Sequence, residues 1–359
     1  MQEKGKKLDF HGQNIYTGID LHLKNWVVTI MLEHSMHKKM SINPSGKDLR
    51  AYLDKNFPGG NYYTAYEAGF TGFSTHWELE SCGIKNIVVN AADIPTTDKE
   101  RRQKEDKRDS LKIAKSLRSG ELNGIYIPEY HIVELRSLVR HRQTLVKEIS
   151  RNKNRVKSLL YFNGIKIPED KRVDSHYWSN KFTSWLELLE FRTLEGKMVL
   201  KQILEIVKFL REKLLEVNRV FRQIRKTGSY SKLLKLLCSI PGIGLVMAMT
   251  ILSEIDNIKR FKNLDKFCSY VGLIPSTNSS GEKESIGSIT PRSNKPIRSV
   301  IIEAAWVASR IDPALALKYT ELCKRMKPSE SIIRIAKKLL NRIRYVMKNQ
   351  TVYVCSVVN

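Results

Sequence analysis

The sequence predicts an α/β domain at the N-terminus and a mainly helical remainder. Short apolar runs separated by turn residues fill the chain up to about Gly124, and apolar residues spaced by three and four dominate from about Tyr130 onward. Short runs bounded by turn residues are typical of strands, whereas three-and-four spacing is typical of helices. We therefore predict three regions, at residues 1–128, 129–228 and 229–359.

The first region alternates predicted strands and helices. In chain order they are strands over Ile15–Ile19, Trp26–Leu32 and Met36–Ile42, a helix over Lys47–Lys55, a strand over Tyr62–Tyr66, a helix over Gly72–Cys82, a strand over Ile87–Val89 and a helix over Lys107–Ser119. The order βββαβαβα is typical of an α/β domain built on one mixed sheet.

The middle region contains two narrow apolar stripes. One runs from Leu135 to Leu159, with polar residues at Arg142 and Asn152, and the other covers 203–224. A strict alternation of three and four residues is typical of a heptad seam. The stripes predict two long helices that form an antiparallel hairpin or dimerise with another chain. An ordinary two-helix spacer within one chain is the alternative.

The last region is predicted to be helical with one long polar interruption. The predicted helices are Leu233–Ile240, Leu245–Ile255, Leu264–Val271, Arg298–Ala308 and Ile332–Met347. Residues 272–295 are rich in Ser, Gly, Pro and Asn, which predicts a loop that is either mobile or functional.

The charge balance indicates nucleic acid as a partner. The chain has 62 Lys and Arg against 37 Asp and Glu, a net charge of +25, and its 42% hydrophobic content excludes a disordered basic tail.

The sequence also indicates where the protein acts. The chain lacks a run of about 18 apolar residues, and its polar start does not resemble a signal peptide, so we expect a cytoplasmic protein without a membrane role. Five widely spaced cysteines argue against a zinc ribbon and a disulfide framework.

Four acidic residues are candidates for a metal site. Asp20 and Glu67 end the first and fourth predicted strands, so their side chains meet at one sheet edge if these strands are neighbours. Asp106 and Asp109 are three apart on a predicted helix and share a face. Four carboxylates repel one another unless divalent cations neutralise them, and Mg²⁺ prefers oxygen ligands. The set suits phosphodiester cleavage, although a single acidic residue among 37 is most often solvated surface.

Basic residues surround the second acidic pair. They are Arg101, Arg102, Lys104, Lys107 and Arg108. A basic run is usually a solvated face, but beside carboxylates it favours a site that holds nucleic-acid phosphates.

A glycine turn is a second candidate for phosphate binding. Gly242 and Gly244 lie between two predicted helices, in a segment similar to a helix-hairpin-helix turn. Glycines in such a turn let backbone N–H groups approach a phosphate. A tight turn that uses glycine only for its positive φ is the alternative.

The polar loop contains a candidate nucleophile. Ser279-Ser280-Gly281 lies in this loop, and a serine flanked by glycine on a loop can attack phosphorus, although a loop serine is most often a turn residue. Three cations that follow can stabilise negative charge in the transition state. They are Arg292, Lys295 and Arg298.

Five segments, taken together, resemble one family. They are Tyr16-Thr17-Gly18-Ile19-Asp20, Tyr66-Glu67-Ala68-Gly69, Lys104-Glu105-Asp106-Lys107-Arg108-Asp109, Ser239-Ile240-Pro241-Gly242-Ile243-Gly244, and Tyr270-Val271-Gly272-Leu273-Ile274-Pro275 with Ser280-Gly281. In this order they are similar to the DEDD transposases of bacterial insertion sequences, which are guided by a bridge RNA and related to the Piv DNA invertase.

The resemblance implies an architecture and a chemistry. It implies a RuvC-like (RNase H-like) N-terminal domain, a coiled-coil middle and a C-terminal transposase domain. It implies that Asp20, Glu67, Asp106 and Asp109 bind Mg²⁺ (or Mn²⁺), and that Ser280 is the covalent nucleophile, with the neighbouring Ser279 as the alternative. The implied partners are DNA at the element ends and target, a non-coding guide RNA, and further copies in a dimer or tetramer that shares the active site between protomers.

Two positions depart from the family pattern. Glu105 stands where the family commonly has threonine, and Ser293 stands where it commonly has glycine. Neither change removes a proposed catalytic group. Two other functions remain open at this point: a RuvC-type, metal-dependent, structure-selective nuclease, and a non-catalytic DNA- or RNA-binding protein.

Overall fold

The computed structural model describes residues 9–95, 109–168, 178–280 and 283–355. The chain divides into two compact units, Met1–Ile127 and Pro128–Asn359. In the described residues there are seven strands and twelve α-helices. In these ranges, no helix combines the length and hydropathy needed to cross a bilayer.

The first unit contains one mixed sheet, as predicted. Its elements are β1 (Asn14–Leu21), β2 (Trp26–Met31), β3 (Met36–Ile42), α1 (Gly46–Asn56), β4 (Asn61–Glu67), α2 (Ser74–Ser81), β5 (Lys85–Val89) and α3 (Asp109–Arg118). The strand order is β3-β2-β1-β4-β5. β2 is antiparallel to both β1 and β3, whereas β4 is parallel to both β1 and β5.

The two faces of this sheet are covered by different helices. On one face, Ile19 of β1 and Tyr66 of β4 pack in a buried cluster with Leu49 of α1 and Leu79 of α2. On the other face, Ala65 and Val89 pack with Ile113 of α3. Successive residues of a strand point to opposite faces. This alternation assigns Gly18 and Asp20 of β1, and Glu67 of β4, to the face covered by α3.

Gly18 allows α3 to lie directly against β1. A Cβ atom at this position would lie 2.1 Å from the Ser110 carbonyl oxygen and 2.4 Å from the Ala114 backbone nitrogen. Both atoms belong to the helix backbone, so a flexible side chain cannot move aside. Beside this contact, the Ser110 hydroxyl lies 2.9 Å from the Thr29 hydroxyl in a buried hydrogen bond.

We expect Gly18→Ala to destabilise the first unit, because the added methyl group forces α3 away from the sheet. Overpacking of this kind costs about 1–3 kcal/mol or more. Urea unfolding followed by circular dichroism measures the change. Gly69→Ala is the matched control, since a Cβ there would lie 3.8 Å from the Glu67 carbonyl oxygen, at an ordinary contact distance. Equal transition midpoints for the two variants would show that α3 does not pack on Gly18.

The second unit is mainly helical. Its elements are α4 (Tyr130–Phe162), α5 (Asn180–Glu187), α6 (Leu194–Thr227), α7 (Ser231–Cys238), α8 (Leu245–Ile255), α9 (Leu264–Val271), β6 (Pro275–Ser280), β7 (Lys283–Ile289), α10 (Lys295–Ile311), α11 (Pro313–Cys323) and α12 (Pro328–Asn349). The predicted boundary at residue 228 falls between α6 and α7 and stays a prediction.

The two apolar stripes of the middle region pack against each other within the chain. Leu145 of α4 and Phe221 of α6 belong to one buried cluster, and Val156 of α4 and Leu200 of α6 belong to another. The polar seam residue Arg142 donates from Nε to Asn218 Oδ1 at 2.8 Å. Because higher numbers on α4 lie beside lower numbers on α6, the two helices run antiparallel.

A two-stranded hairpin and one helix of the last region were not predicted. The polar segment 272–295 contains a two-stranded antiparallel hairpin, β6–β7, rather than an unstructured loop, and α11 follows α10. The loop prediction was wrong at this point because Ser, Asn and Gly obscure the strand signal, while the paired backbone supplies the hydrogen bonds. Asp312 separates α10 from α11 by capping the second helix through Leu315 N–H, at 3.0 Å.

Candidate active site

The sheet register brings two of the predicted acidic residues to one edge. β1 and β4 are adjacent and parallel, with Gly18 opposite Ala65 and Ile19 opposite Tyr66. One further step in this register places Asp20 opposite Glu67, on the face covered by α3. Adjacent strands are about 4.8 Å apart. The two strands are therefore neighbours, which was the condition for Asp20 and Glu67 to meet at one sheet edge.

The third acidic residue is placed by α3. Asp109 is the first residue of this helix, immediately before Ser110, whose carbonyl approaches Gly18. Asp20 lies two residues beyond Gly18 on β1, so the start of α3 and the end of β1 are positioned together by one backbone contact. Asp106, Arg101, Arg102, Lys104, Lys107 and Arg108 lie outside the described residues. Among the described side chains, no group of three or more His, Cys, Asp or Glu residues forms a metal site.

His22 is a neighbour of Asp20 that sequence reasoning missed. Its Nε2 lies 3.1 Å from Asp20 Oδ2, and the Asp20 side chain is only 20% exposed against 47% for His22. His22 begins the turn after β1, with its N–H donating to the Asn25 carbonyl. The sequence signal that could have identified His22 is its position two residues after Asp20, at the end of a predicted strand. This spacing places both side chains at the same edge of the sheet. The contact restricts the orientation of the carboxylate.

Tyr66 fixes the chain next to Glu67. It is fully buried, and its hydroxyl donates to the Gly72 carbonyl at 3.1 Å while accepting from the His76 N–H at 3.1 Å. Burial raises the pKa of the Tyr66 phenol to about 12, so the side chain is neutral near pH 7. The tyrosine thereby ties the start of α2 to the sheet beside the acidic edge.

The structure gives Gly242 a packing role. Its φ is +84°, and a Cβ there would lie 2.4 Å from the Ala304 carbonyl oxygen of α10. The turn therefore needs glycine both for its conformation and for the close approach of a helix. Gly244 differs, because a Cβ there would meet no atom within 4 Å and the residue is the N-cap of α8. Phosphate binding by this turn stays a prediction.

The candidate serine lies at the end of the β6–β7 hairpin. Ser280 is the last residue of β6 and pairs with Lys283, and Ser279 pairs with Glu284. Among the nearby cations, Arg298 donates from Nη1 to the Thr290 carbonyl at 2.8 Å, which ties α10 to the end of the hairpin. Lys295 begins α10 and Arg292 lies in the exposed segment before it. The serine and the described acids belong to different units of the chain.

Two models of transposase families match separate segments of the chain. A family model for DEDD transposases of the IS110 type matches residues 17–163, a span that includes all four predicted acids. A model described as "Transposase IS116/IS110/IS902 family" matches residues 234–320, which include the glycine turn and Ser280.

Several relatives match most of the chain. The putative transposase y4qE of Sinorhizobium fredii is 28% identical over 82% of this chain and 72% of its own length. The transposase for insertion sequence element IS1533 of Leptospira borgpetersenii is 25% identical over 82% and 85%. The putative transposase y4rJ of S. fredii is 27% identical over 91% and 90%.

An acidic sheet edge in the first unit, together with transposase matches in both units, defines the class: this is a DNA transposase, an enzyme that cuts and joins DNA strands. The chain carries a DEDD transposase domain of the IS110 type and a transposase domain of the IS116/IS110/IS902 family. A transposase binds DNA, and the DEDD domain indicates a requirement for a divalent metal ion.

Proposed function

We infer that this transposase is a site-specific recombinase that uses a four-carboxylate metal site and a serine nucleophile. The observation that carries the proposal is the register of β1 and β4, which sets Asp20 opposite Glu67 under the start of α3. A sheet of three antiparallel strands followed by two parallel ones, with α3 on the acidic face, supports a RuvC-like (RNase H-like) fold for the first unit.

The proposed metal ligands are Asp20, Glu67, Asp106 and Asp109. The donor set fits Mg²⁺ (or Mn²⁺), because it offers carboxylate oxygens, and hard divalent cations prefer oxygen ligands. Asp20 and Glu67 lie opposite each other on adjacent strands, and Asp109 begins the helix that packs on Gly18. We propose that the bound cation draws these carboxylates together with Asp106. When bound, the cation neutralises the carboxylates and stabilises negative charge on the scissile phosphate.

The proposed nucleophile is Ser280. Its hydroxyl loses a proton, its oxygen bonds to phosphorus, and the bond between phosphorus and one deoxyribose oxygen breaks, so that this oxygen leaves as a hydroxyl after taking up a proton. The number of phosphoester bonds is unchanged, and the reverse attack rejoins a strand without an external energy source. Arg292, Lys295 and Arg298 are proposed to stabilise the negative charge that develops on the phosphate oxygens. Ser279 remains the alternative nucleophile.

Nucleic-acid contacts are proposed for the basic segment that precedes Asp109 and for the glycine turn. The basic residues Arg101, Arg102, Lys104, Lys107 and Arg108 would hold phosphates of DNA at the element ends and target. Backbone N–H groups beyond Gly242 and Gly244 would approach another phosphate. The family resemblance adds a non-coding guide RNA as a proposed partner, and the net charge of +25 suits a complex with two nucleic acids.

We further propose that the protein acts as a homo-oligomer, either a dimer or a tetramer. The outer side of α6 exposes apolar side chains, with Met198 at 61%, Ile206 at 45% and Phe209 at 56%. Clustered exposed apolar side chains are typical of an interface, so α6 is proposed to contact a second copy. The acids of one protomer and the serine of another would then form a shared active site.

Trapping of a protein–DNA adduct tests the proposal. The full chain is incubated with DNA that carries the element ends, with the RNA that copurifies with it and with Mg²⁺, and is then denatured. We expect DNA that stays attached to protein until protease treatment, and loss of both cleavage and adduct on chelation. Cut DNA without an adduct would identify a RuvC-type nuclease instead, and binding that never leads to cleavage would identify a non-catalytic binding protein.

A further inference from the structure

Glu254 of α8 is a buried carboxylate with several cationic and polar neighbours. Its side chain is 1% exposed. Arg140 of α4 donates to both carboxylate oxygens, from Nε at 2.9 Å and from Nη2 at 3.1 Å. Arg136 Nε lies 3.6 Å from Oε2. Asn294 Nδ2 donates to the same oxygen at 2.8 Å. Glu254 therefore joins α4 to the residue that precedes α10.

Asn294 uses all of its polar groups at this junction. Its Nδ2 also donates to the Tyr270 hydroxyl at 2.9 Å, and its backbone N–H donates to the Tyr270 carbonyl at 3.1 Å. Its Oδ1 accepts from the Ile297 N–H at 3.3 Å, which caps α10. The Tyr270 hydroxyl in turn donates to the Glu254 carbonyl at 2.8 Å. Glu254, Tyr270 and Asn294 thus form a closed hydrogen-bonded cluster, which we call the hairpin anchor.

Both arms of the β6–β7 hairpin leave from this anchor. The first arm follows Tyr270 through Gly272 and Ile274, and the second ends at Thr290, four residues before Asn294. The Thr290 N–H donates to the Ile274 carbonyl at 3.1 Å, which closes the base of the hairpin. A Cβ on Gly272 would lie 2.2 Å from Ser293 Cβ, so the two arms also touch at this level. Movement of the anchor therefore moves the hairpin.

The hairpin amplifies small movements of its base. Five residue steps separate Pro275 from Ser280 along β6, and at about 3.3 Å per step the strand extends about 16 Å. A rotation of about 10° at the base displaces the end by roughly 3 Å over that length. A misplacement of about 1 Å can reduce a rate by about 10²-fold.

Stability alone does not account for the anchor. The Glu254 carboxylate is buried, whereas the Arg140 side chain is 53% exposed. Desolvation of the carboxylate offsets much of its attraction to the arginine, whereas its directional hydrogen bonds favour one arrangement. We propose that Glu254 and Asn294 are positioning residues that set the direction of the serine hairpin relative to the helical unit. The proposal rests on Ser280, or its neighbour Ser279, acting as the nucleophile.

A reversed hydrogen bond tests this role. Asn294→Asp keeps a helix-capping oxygen but loses the donor to Glu254 and to the Tyr270 hydroxyl. It also places two carboxylates together, so we expect adduct formation to slow by about 10²-fold or more. Glu254→Gln combined with Asn294→Asp restores the hydrogen bond between these two side chains in the opposite direction and keeps one negative charge in the cluster. We expect the double variant to regain at least about tenfold over Asn294→Asp, as coupled residues do. DNA affinity should be unchanged in both.

Ile301→Val is the matched control, because Ile301 is fully buried in α10 and lies outside the anchor. It should lower stability by about 0.5–1.5 kcal/mol with little effect on the adduct rate per folded molecule. A native rate in Asn294→Asp, or a double variant no faster than Asn294→Asp, would overturn the proposal.

Hydrogen exchange of the hairpin amides tests the role of the anchor independently of the serine mechanism. Asn294→Asp should speed exchange of the hairpin amides, and the double variant should slow it again, whether or not an adduct forms. If the native chain forms no adduct, the serine mechanism fails, while the exchange result still decides whether the anchor holds the hairpin. Unchanged exchange in Asn294→Asp would overturn the anchor by itself.

Discussion

Replacing Ser280 by alanine is expected to abolish both the protein–DNA adduct and strand joining. Only the attacking oxygen is removed, so fold and DNA affinity should stay close to native, since a serine near the end of a hairpin contributes little to stability. The loss should exceed about 10³-fold, because no other group replaces a missing nucleophile. Denaturing gel analysis of the adduct and a joining assay measure the effect, with binding measured in parallel.

Ser279→Ala is the matched control, because it makes the same change one residue earlier on β6. It should retain the adduct, and peptide mapping should find the attachment at Ser280. Ser280→Cys should keep a trace of activity, since a thiolate is a strong nucleophile with altered reach. Attachment at Ser279 would shift the assignment by one residue, and attachment at a tyrosine would disprove the serine mechanism.

Asp20→Asn is expected to abolish strand cleavage while nucleic-acid binding survives. The amide keeps the shape of the side chain but removes a charged metal ligand, whereas the basic surface is unchanged. We expect cleavage to fall by about 10³-fold or more, in line with the several kcal/mol that metal-ion catalysis supplies. Binding of Mn²⁺ to the protein, measured without DNA, should weaken as well, which separates loss of a ligand from loss of another catalytic group.

Glu33→Gln is the matched control in the same unit. Glu33 is exposed in the turn between β2 and β3, so its loss of charge should leave cleavage and Mn²⁺ binding unchanged. Glu67→Gln, Asp106→Asn and Asp109→Asn should behave like Asp20→Asn. Normal cleavage by both Asp106→Asn and Asp109→Asn would show that the four-carboxylate site is wrong.

The helices of the last region show what local sequence predicts well. The predicted and observed bounds agree for α8 and α9. α9 begins after Asn263, whose side chain accepts from the Lys266 N–H, and ends at Gly272, whose φ is +80°. A helix cap and a residue with positive φ each favour a few residue types at one position. Such features can therefore be predicted from the local sequence.

The candidate site was predictable in part. The strand-end positions of Asp20 and Glu67 follow from the apolar pattern, and the family resemblance selected the same two residues. The sequence did not predict that Asp20 and Glu67 lie opposite each other on the same face of the sheet. This placement depends on the register of β1 against β4, two strands about 45 residues apart in the chain. His22 was missed because its role depends on the direction of one side chain after a strand end.

By itself, the sequence predicted the class of this protein, the order of most of its helices and strands, and a set of candidate site residues, because periodicity, capping and residue type are local properties. Only the tertiary structure decided that α3 lies on Gly18, that the two middle stripes pack together, and that the polar segment forms a hairpin anchored by Glu254. Arg140 and Glu254 are 114 residues apart, and Asn294 is 40 residues from Glu254. Contacts between such distant residues arise only when the helices pack, so no local pattern specifies them.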